Sequence, residues 1–198
     1  MDRFSSDLHL GHRGAYRSCE RDRDFRSLNH MNRSIIRAWN ETVTDEDTVF
    51  LLGDFCYRSS RPAGSWLSEM NHGGRLVFVR GNHDQWLDEM PPEEKHRHFQ
   101  LVIEDTCVIE RNGFRVGLTH VPTDTFQVPV DLIVCGHIHN NRQGADFETF
   151  MRIPNILNCS VEVCGYRPRS LRELVQINQR FYNRTYDNIP EELFRAFE

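Results

Sequence analysis

Leu132-Ile133-Val134-Cys135-Gly136-His137-Ile138-His139 changes character at its midpoint: four apolar residues, a glycine, then two histidines one residue apart. The first half reads as a buried strand, since four apolar residues are too few for a buried helix. The second half is a turn that carries imidazoles. The same change recurs at Thr48-Val49-Phe50-Leu51-Leu52 before Gly53-Asp54, and at Leu76-Val77-Phe78-Val79, which leads through Arg80 to Gly81-Asn82-His83-Asp84. It recurs at Phe4-Ser5-Ser6, a short first strand, before Asp7-Leu8-His9. A fifth case is His120, which ends the second arm of a hairpin predicted over residues 101–120 around Asn112-Gly113, a type I′ turn signal. The carboxyl ends of strands are where open α/β sheets build their sites. Glycines at 53, 81 and 136 suit a chain that turns sharply there and passes close to a ligand.

The remaining chain alternates helical and strand patterns. Leu28, Met31, Ile35 and Trp39 recur at helical spacing and predict a helix over 28–40. Pro62 to His72 reads as a helix closed by Gly73-Gly74, and Ile156 to Val163 as a further strand. Ser170 opens a helix with Leu171, Leu174, Val175 and Ile177 on one face, and a last helical turn is expected after Pro190. The alternation implies an α/β sandwich. With no repeat, low-complexity tract or linker, residues 1–198 are expected to form one domain.

Composition sets the outer limits. The 198 residues are 38% hydrophobic and 11% aromatic, enough for a core and too much for a disordered chain. No run approaches the roughly 18 apolar residues of a membrane span, and the N-terminus lacks the apolar stretch of a secretory signal. A cytoplasmic protein is expected, in which Cys19, Cys56, Cys107, Cys135, Cys159 and Cys164 stay reduced. The formal charge of −5 argues against a broad nucleic-acid surface, although the basic residues are 23 arginines and a single lysine, Lys95. Ten histidines point instead to metal or proton chemistry.

Each polar cluster alone has a plain reading: an aspartate caps a helix, a buried histidine hydrogen-bonds within the core, an asparagine makes a turn. Five such clusters at five strand ends are a poor product of chance. Together they offer carboxylates, imidazoles and one amide, without a thiolate. That donor set suits Mn²⁺ first, with Fe, Zn²⁺, Co²⁺ or Ni²⁺ as alternatives, rather than Ca²⁺ or Mg²⁺ alone. There are donors enough for two divalent ions, which at roughly 3.5–4 Å need a bridging carboxylate and clamp both oxygens of a phosphoryl displacement.

The order DxH (Asp7, His9), GD (Asp54), GNHD (Gly81 to Asp84), His120 and GHxH (His137, His139) resembles the calcineurin-like metallophosphoesterase superfamily. Phe4 to His12, and Trp39-Asn40 ahead of Leu51-Leu52-Gly53-Asp54-Phe55, look like a compact branch found in phages and bacteria. The resemblance implies a two-layer β-sandwich flanked by helices. It also implies that Asp7, His9 and His139 hold one metal, that Asn82, His120 and His137 hold a second, and that Asp54 bridges them. A bridging hydroxide would attack phosphorus. His83 would protonate the leaving oxygen or stabilise the phosphorane, and Asp84 would either accept the other ring proton of His83 or cap the helix that follows.

Departures narrow the branch. Gly53-Asp54-Phe55-Cys56-Tyr57-Arg58 is not GDxxDRG, and GNHD ends in Asp, unlike the Ser/Thr phosphatases and the symmetrical dinucleoside tetraphosphatases. Tyr57 completes the purple acid phosphatase spacing, but His9 makes a tyrosinate ligand redundant. In the polar segment 11–26, His12, Arg13 and Arg17 are candidates to hold substrate, as is Arg142 after the GHxH motif; the alternative is a solvated loop whose arginines pair with Glu20, Asp22 and Asp24. The expected partner is a small phosphate ester such as a nucleotide, with a diester slightly favoured. A phosphomonoesterase, a nuclease and a non-catalytic scaffold of the same fold are the alternatives.

Overall fold

The structure, a computed structural model, describes residues 1–17 and 23–198. In chain order its elements are β1 (Asp2–Ser5), α1 (Arg13–Arg17), α2 (Leu28–Asn40), β2 (Thr48–Leu52), α3 (Ala63–Leu67), β3 (Arg75–Val79), α4 (Trp86–Glu89), α5 (Pro92–His98) and β4 (Leu101–Ile103). There follow β5 (Cys107–Arg111), β6 (Phe114–Leu118), β7 (Leu132–Cys135), α6 (Ala145–Arg152), β8 (Ile156–Asn158), α7 (Val161–Cys164), α8 (Leu171–Tyr182) and α9 (Glu191–Phe197).

Among the described residues the strands form two four-stranded sheets, β1-β2-β3-β4 and β5-β6-β7-β8. The first is parallel throughout; in the second only β5 and β6 pair antiparallel. The period of two along a strand sorts the side chains. Phe4, Phe50, Leu52, Val77 and Val79 point from the first sheet into the inter-sheet core, where they meet Val116, Leu118, Leu132, Val134 and Leu157. Val49, Leu51, Leu76 and Phe78 point the other way, onto Met31, Ile35 and Trp39 of α2. On the outer face of the second sheet, Cys135 and Ile156 meet Phe150 of α6 and Tyr182 of α8. The result is the expected sandwich of two sheets between helices.

Local chemistry explains the element ends. Ser27 caps α2 by accepting the His30 N–H at 3.1 Å, and Ser170 with Glu173 forms a capping box on α8. Asn112 and Gly113 take φ of 51° and 84°, as a type I′ turn requires, and join β5 to β6.

Three expectations are corrected. Residues 101–103 are not a hairpin arm; they form β4, parallel to β3 at the edge of the first sheet. The predicted helix 62–72 shortens to α3, and residues 156–163 are not one strand but β8, a turn and α7. His98, at the end of α5, is buried. No helix among the described residues is long and apolar enough to cross a membrane.

Candidate metal centre

Six strands deliver polar residues to one edge of the sandwich: β1 leads to Asp7 and His9, β2 to Asp54, β3 to Asn82 and His83, β6 to His120, β7 to His137 and His139, and β8 to Ser160 and Glu162. Backbone pairing continues past the strand ends and ties the turns together. Asp7 N–H donates to the Gly53 carbonyl at 3.0 Å, His9 N–H to Asp54 at 2.9 Å, and Gly136 N–H to His120 at 3.0 Å. The turns are strained: Asp7, His9, Asp54, His137 and His139 all have φ between 48° and 70°. The left-handed region costs a non-glycine residue on the order of 1–3 kcal/mol, and such strain collects at functional sites. Gly53 is required for a further reason, since a Cβ there would lie 2.6 Å from both the Gly81 Cα and His120 Nδ1.

Two groups of potential ligand atoms lie within 4.8 Å of one another among the described residues: Asp7, His9 and His139, and Asp7, Asp54 and His120. All five side chains are buried. Asp54 faces both sides, with Oδ2 at 3.4 Å from His9 Nε2 and Oδ1 at 3.5 Å from His120 Nε2. Asp7 is common to both groups, a position the sequence reading reserved for Asp54. Asn82 Oδ1 sits 3.0 Å from His120 Nε2 and 3.1 Å from His137 Nδ1. Donors around one ion at about 2.0–2.2 Å lie about 3–3.5 Å apart, so this spacing fits a metal.

Hydrogen-bond direction strengthens that fit. His120 Nδ1 lies 2.8 Å from the Leu52 carbonyl, which only accepts, so Nδ1 carries the proton. In the neutral ring Nε2 then turns a lone pair toward Asn82 Oδ1, an acceptor facing an acceptor. His139 repeats the pattern: Nδ1 is 3.0 Å from Glu162 Oε1, and Nε2 faces Asp7 Oδ1 at 3.6 Å. These pairs need positive charge between them. In the metal-free protein a proton meets that need at His120: burial opposes the charge, but Asp54 and Asp7 outweigh it and hold the imidazole up to about 9, and a cation held at Nε2 would take the place of that proton.

Asp7 is held by its surroundings. Its Oδ2 accepts from Ser6 Oγ at 2.6 Å and Ser160 Oγ at 2.8 Å, and the His137 N–H donates to the same carboxylate at 3.0 Å. His83 stands outside both ligand groups. Its backbone N–H donates to Asp54 Oδ1 at 2.9 Å, its ring centroid is 5.6 Å from that of His9, and the Tyr57 ring packs against it at 4.0 Å.

Asp84 has neither role foreseen for it. Its Oδ2 accepts from Asp54 N and Gly81 N at 2.7 and 2.8 Å, and its Oδ1 from Phe55 N and Trp86 Nε1 at 3.0 and 2.9 Å. Four donors fill the carboxylate, so it clamps two turns instead of orienting His83, and the cap of α4 is Gln85. Burial, and then the charge of Asp54, push Asp84 up to about 6. Asp84→Asn places an amide NH₂ against two buried N–H donors. We expect a loss of about 2–4 kcal/mol, seen as a Tm lower by roughly 5–15 °C. Unchanged Tm with lost turnover would restore the orienting role.

The substrate candidates separate. His12 lies at the site, its ring 5.7 Å from His9 and 5.0 Å from Tyr57. Arg13 is exposed at the start of α1, and the side chain of Arg17 lies outside the described residues, as do Glu20 and Asp22. Arg142 is turned away: it donates to the Phe181 carbonyl at 2.6 Å and covers the Phe181 ring on α8, so it is corrected to a structural contact. Sequence reading missed Arg23, Ser160 and Glu162. Ser160 and Glu162 follow the apolar Ile156-Leu157 just as the other clusters follow their strands, a signal hidden when 156–163 was read as one strand. Arg23 and His139 outweigh the burial of Glu162 and hold it at about 2, ionised.

Comparison with known proteins agrees with this geometry. The calcineurin-like phosphoesterase superfamily domain matches residues 6–153. An uncharacterized protein of Methanocaldococcus jannaschii is 32% identical over 178 residues, 88% of this chain and 89% of that protein. The gene 66 protein of Mycobacterium phage D29 is 36% identical over 85 residues, 41% of this chain and 39% of that protein. A protein of unknown function from Aquifex aeolicus has a crystal structure similar to this one with a TM-score of 0.66 at 26% identity, covering 89% of this chain and 98% of that one. The matched domain contains every motif from Asp7 to His139, and the chain belongs to the calcineurin-like phosphoesterase superfamily of metal-dependent hydrolases acting on phosphoric ester bonds.

Proposed function

We propose that residues 1–198 act as one catalytic domain that hydrolyses a small phosphodiester, of nucleotide size, in the cytoplasm. The observation that carries the reading is the cluster of carboxylate, imidazole and amide ligand atoms that face one another at one edge of the sheets, with His83 beside it and outside it. Asp7, His9 and His139 would hold one divalent ion, and Asn82, His120 and His137 a second, with Asp54 facing both and Mn²⁺ the first choice. When bound, two such ions supply Lewis acidity and lower the pKa of water enough to make hydroxide available near neutral pH.

The chain's own residues do the rest. Asp54 and Asp7 concentrate negative charge where cations are required, and their fixed backbone leaves little to reorganise. His83 is placed to give a proton to a leaving alkoxide, and Tyr57 limits the orientation of its ring. Beside His83 lies a cavity of about 360 Å³ whose lining includes Tyr57, Arg58, Arg61 and Gln85. Its volume accommodates the second ester group that distinguishes a diester from a monoester, and the guanidinium of Arg58 suits an anionic substrate.

The test is a panel of esters with each of several metals. Bis-p-nitrophenyl phosphate should be hydrolysed faster than p-nitrophenyl phosphate, best with Mn²⁺, and a chelator should abolish both activities. Faster monoester turnover would overturn the diester preference, and turnover that survives metal removal would overturn the mechanism.

A further inference from the structure

The Arg23 side chain is completely buried and that of Glu162 is 2% exposed, although the two residues lie 139 positions apart. Arg23 Nε donates to Glu162 Oε1 at 2.7 Å. Its Nη1 donates to the Leu8 carbonyl at 2.9 Å and its Nη2 to the Asp7 carbonyl. The same Glu162 oxygen faces His139 Nδ1 at 3.0 Å. One guanidinium therefore grips the backbone of the first motif and, through one carboxylate oxygen, the imidazole of the last.

We propose that Arg23 and Glu162 are a positioning pair that locks His139 in the tautomer with its proton on Nδ1, and so sets the metal affinity of the site. The inference rests on the metal-centre reading of His139. A carboxylate accepts and never donates, so Glu162 requires the Nδ1 proton and leaves the Nε2 lone pair toward Asp7 and His9. A carboxylate behind a ligating imidazole also raises its basicity, and loss of such a partner costs about 10–100-fold in metal affinity. Two of the other three ligand imidazoles, His120 and His137, are held differently. His120 uses the Leu52 carbonyl, and His137 Nε2 meets Asp146, whose side chain is half exposed, at 3.3 Å. Of these three, His139 alone has a buried charge as its partner, and an arginine is suited to keep it ionised because its fork bonds a carboxylate and two carbonyls at once. Glu162 Oε2 accepts no hydrogen bond among the described residues, so a glutamine can place its NH₂ there and retain both bonds at Oε1.

Three variants test the pair: Glu162→Gln, Glu162→Leu, and Arg23→Met with Glu162→Leu. The last removes both charges together and avoids an unpaired buried arginine. Mn²⁺ binding to the metal-free proteins is measured by titration, the His139 tautomer by nitrogen chemical shifts of the imidazole, and folding by Tm. The double variant should fold, lose the single Nδ1–H tautomer and bind Mn²⁺ about 10–100-fold more weakly, while Glu162→Gln should retain the tautomer and bind within about tenfold of wild type. Wild-type tautomer or wild-type affinity in the folded double variant would overturn the proposal alone. Wild-type protein that shows the Nδ1–H tautomer but binds no Mn²⁺ would overturn the metal reading, and the proposal with it.

Discussion

Asp54→Asn is expected to lower phosphoester turnover by roughly 10²–10³-fold and to lower the amount of divalent metal retained after dialysis. Asparagine is a sharper test than alanine because Asp54 has φ of 55°, a conformation that Asn tolerates and Ala does not. The His83 N–H keeps an oxygen at the Oδ1 position, where it accepts at 2.9 Å. The amide nitrogen then replaces Oδ2 and faces His9 Nε2, 3.4 Å away in the wild type. One ligand group loses a charged donor and gains an NH₂ that cannot ligate. Metal chemistry is worth several kcal/mol of transition-state stabilisation, and about 1.4 kcal/mol is tenfold in rate, which gives the stated range. Elemental analysis together with steady-state rates decides the matter: wild-type metal content with wild-type rate would remove Asp54 from the site.

His83→Ala should show the opposite division, with metal content unchanged and turnover lost. Positioned acid catalysis contributes about 10²–10⁴-fold, and its value grows with the basicity of the leaving oxygen. The variant should therefore lose that full factor on a diester with an alkoxide leaving group, and no more than about tenfold on bis-p-nitrophenyl phosphate, whose phenolate leaves unaided. An equal loss on both substrates would assign His83 to charge stabilisation at phosphorus, and no loss on either would remove it from the mechanism. The neighbours of His83 make the variant clean. Its ring packs on Tyr57 at the rim of a cavity and is half-buried, so truncation leaves no sealed void in the core.

Much of the fold was legible because the forces that define it are local. Helix α2 matched its predicted range of 28–40 because Met31, Ile35 and Trp39 share a face and Ser27 supplies the cap. Strands β2 and β7 were read from short apolar runs, and the turn at Asn112-Gly113 from backbone preference. Segment 101–103 was misassigned because three apolar residues do not say which sheet they join; that choice was made by packing beside β3. Segment 156–163 was misread because Val161 and Val163 look like a continuing strand. In the fold, Val161 N–H donates instead to the Ser6 carbonyl of the first motif, and the chain turns into α7.

The site divided in the same way. Asp7, His9, Asp54, Asn82, His120, His137 and His139 could be named from sequence because each stands in a short motif just past an apolar strand, and parallel strands carry such residues to one edge. The sequence by itself therefore determined the two-sheet architecture, the family and the candidate ligand groups that meet. The tertiary structure decided what those groups do to one another: that Asp7 is common to both ligand groups, that Asp84 clamps two turns, that Arg142 faces α8, and that Arg23 reaches Glu162 across the chain. The physical reason is range. Periodicity, capping and turn preference are energies of a few adjacent residues and are written in adjacent letters. The partner of a buried charge is chosen by where the packed chain leaves it without water, and a separation of 139 positions carries no local record of that choice.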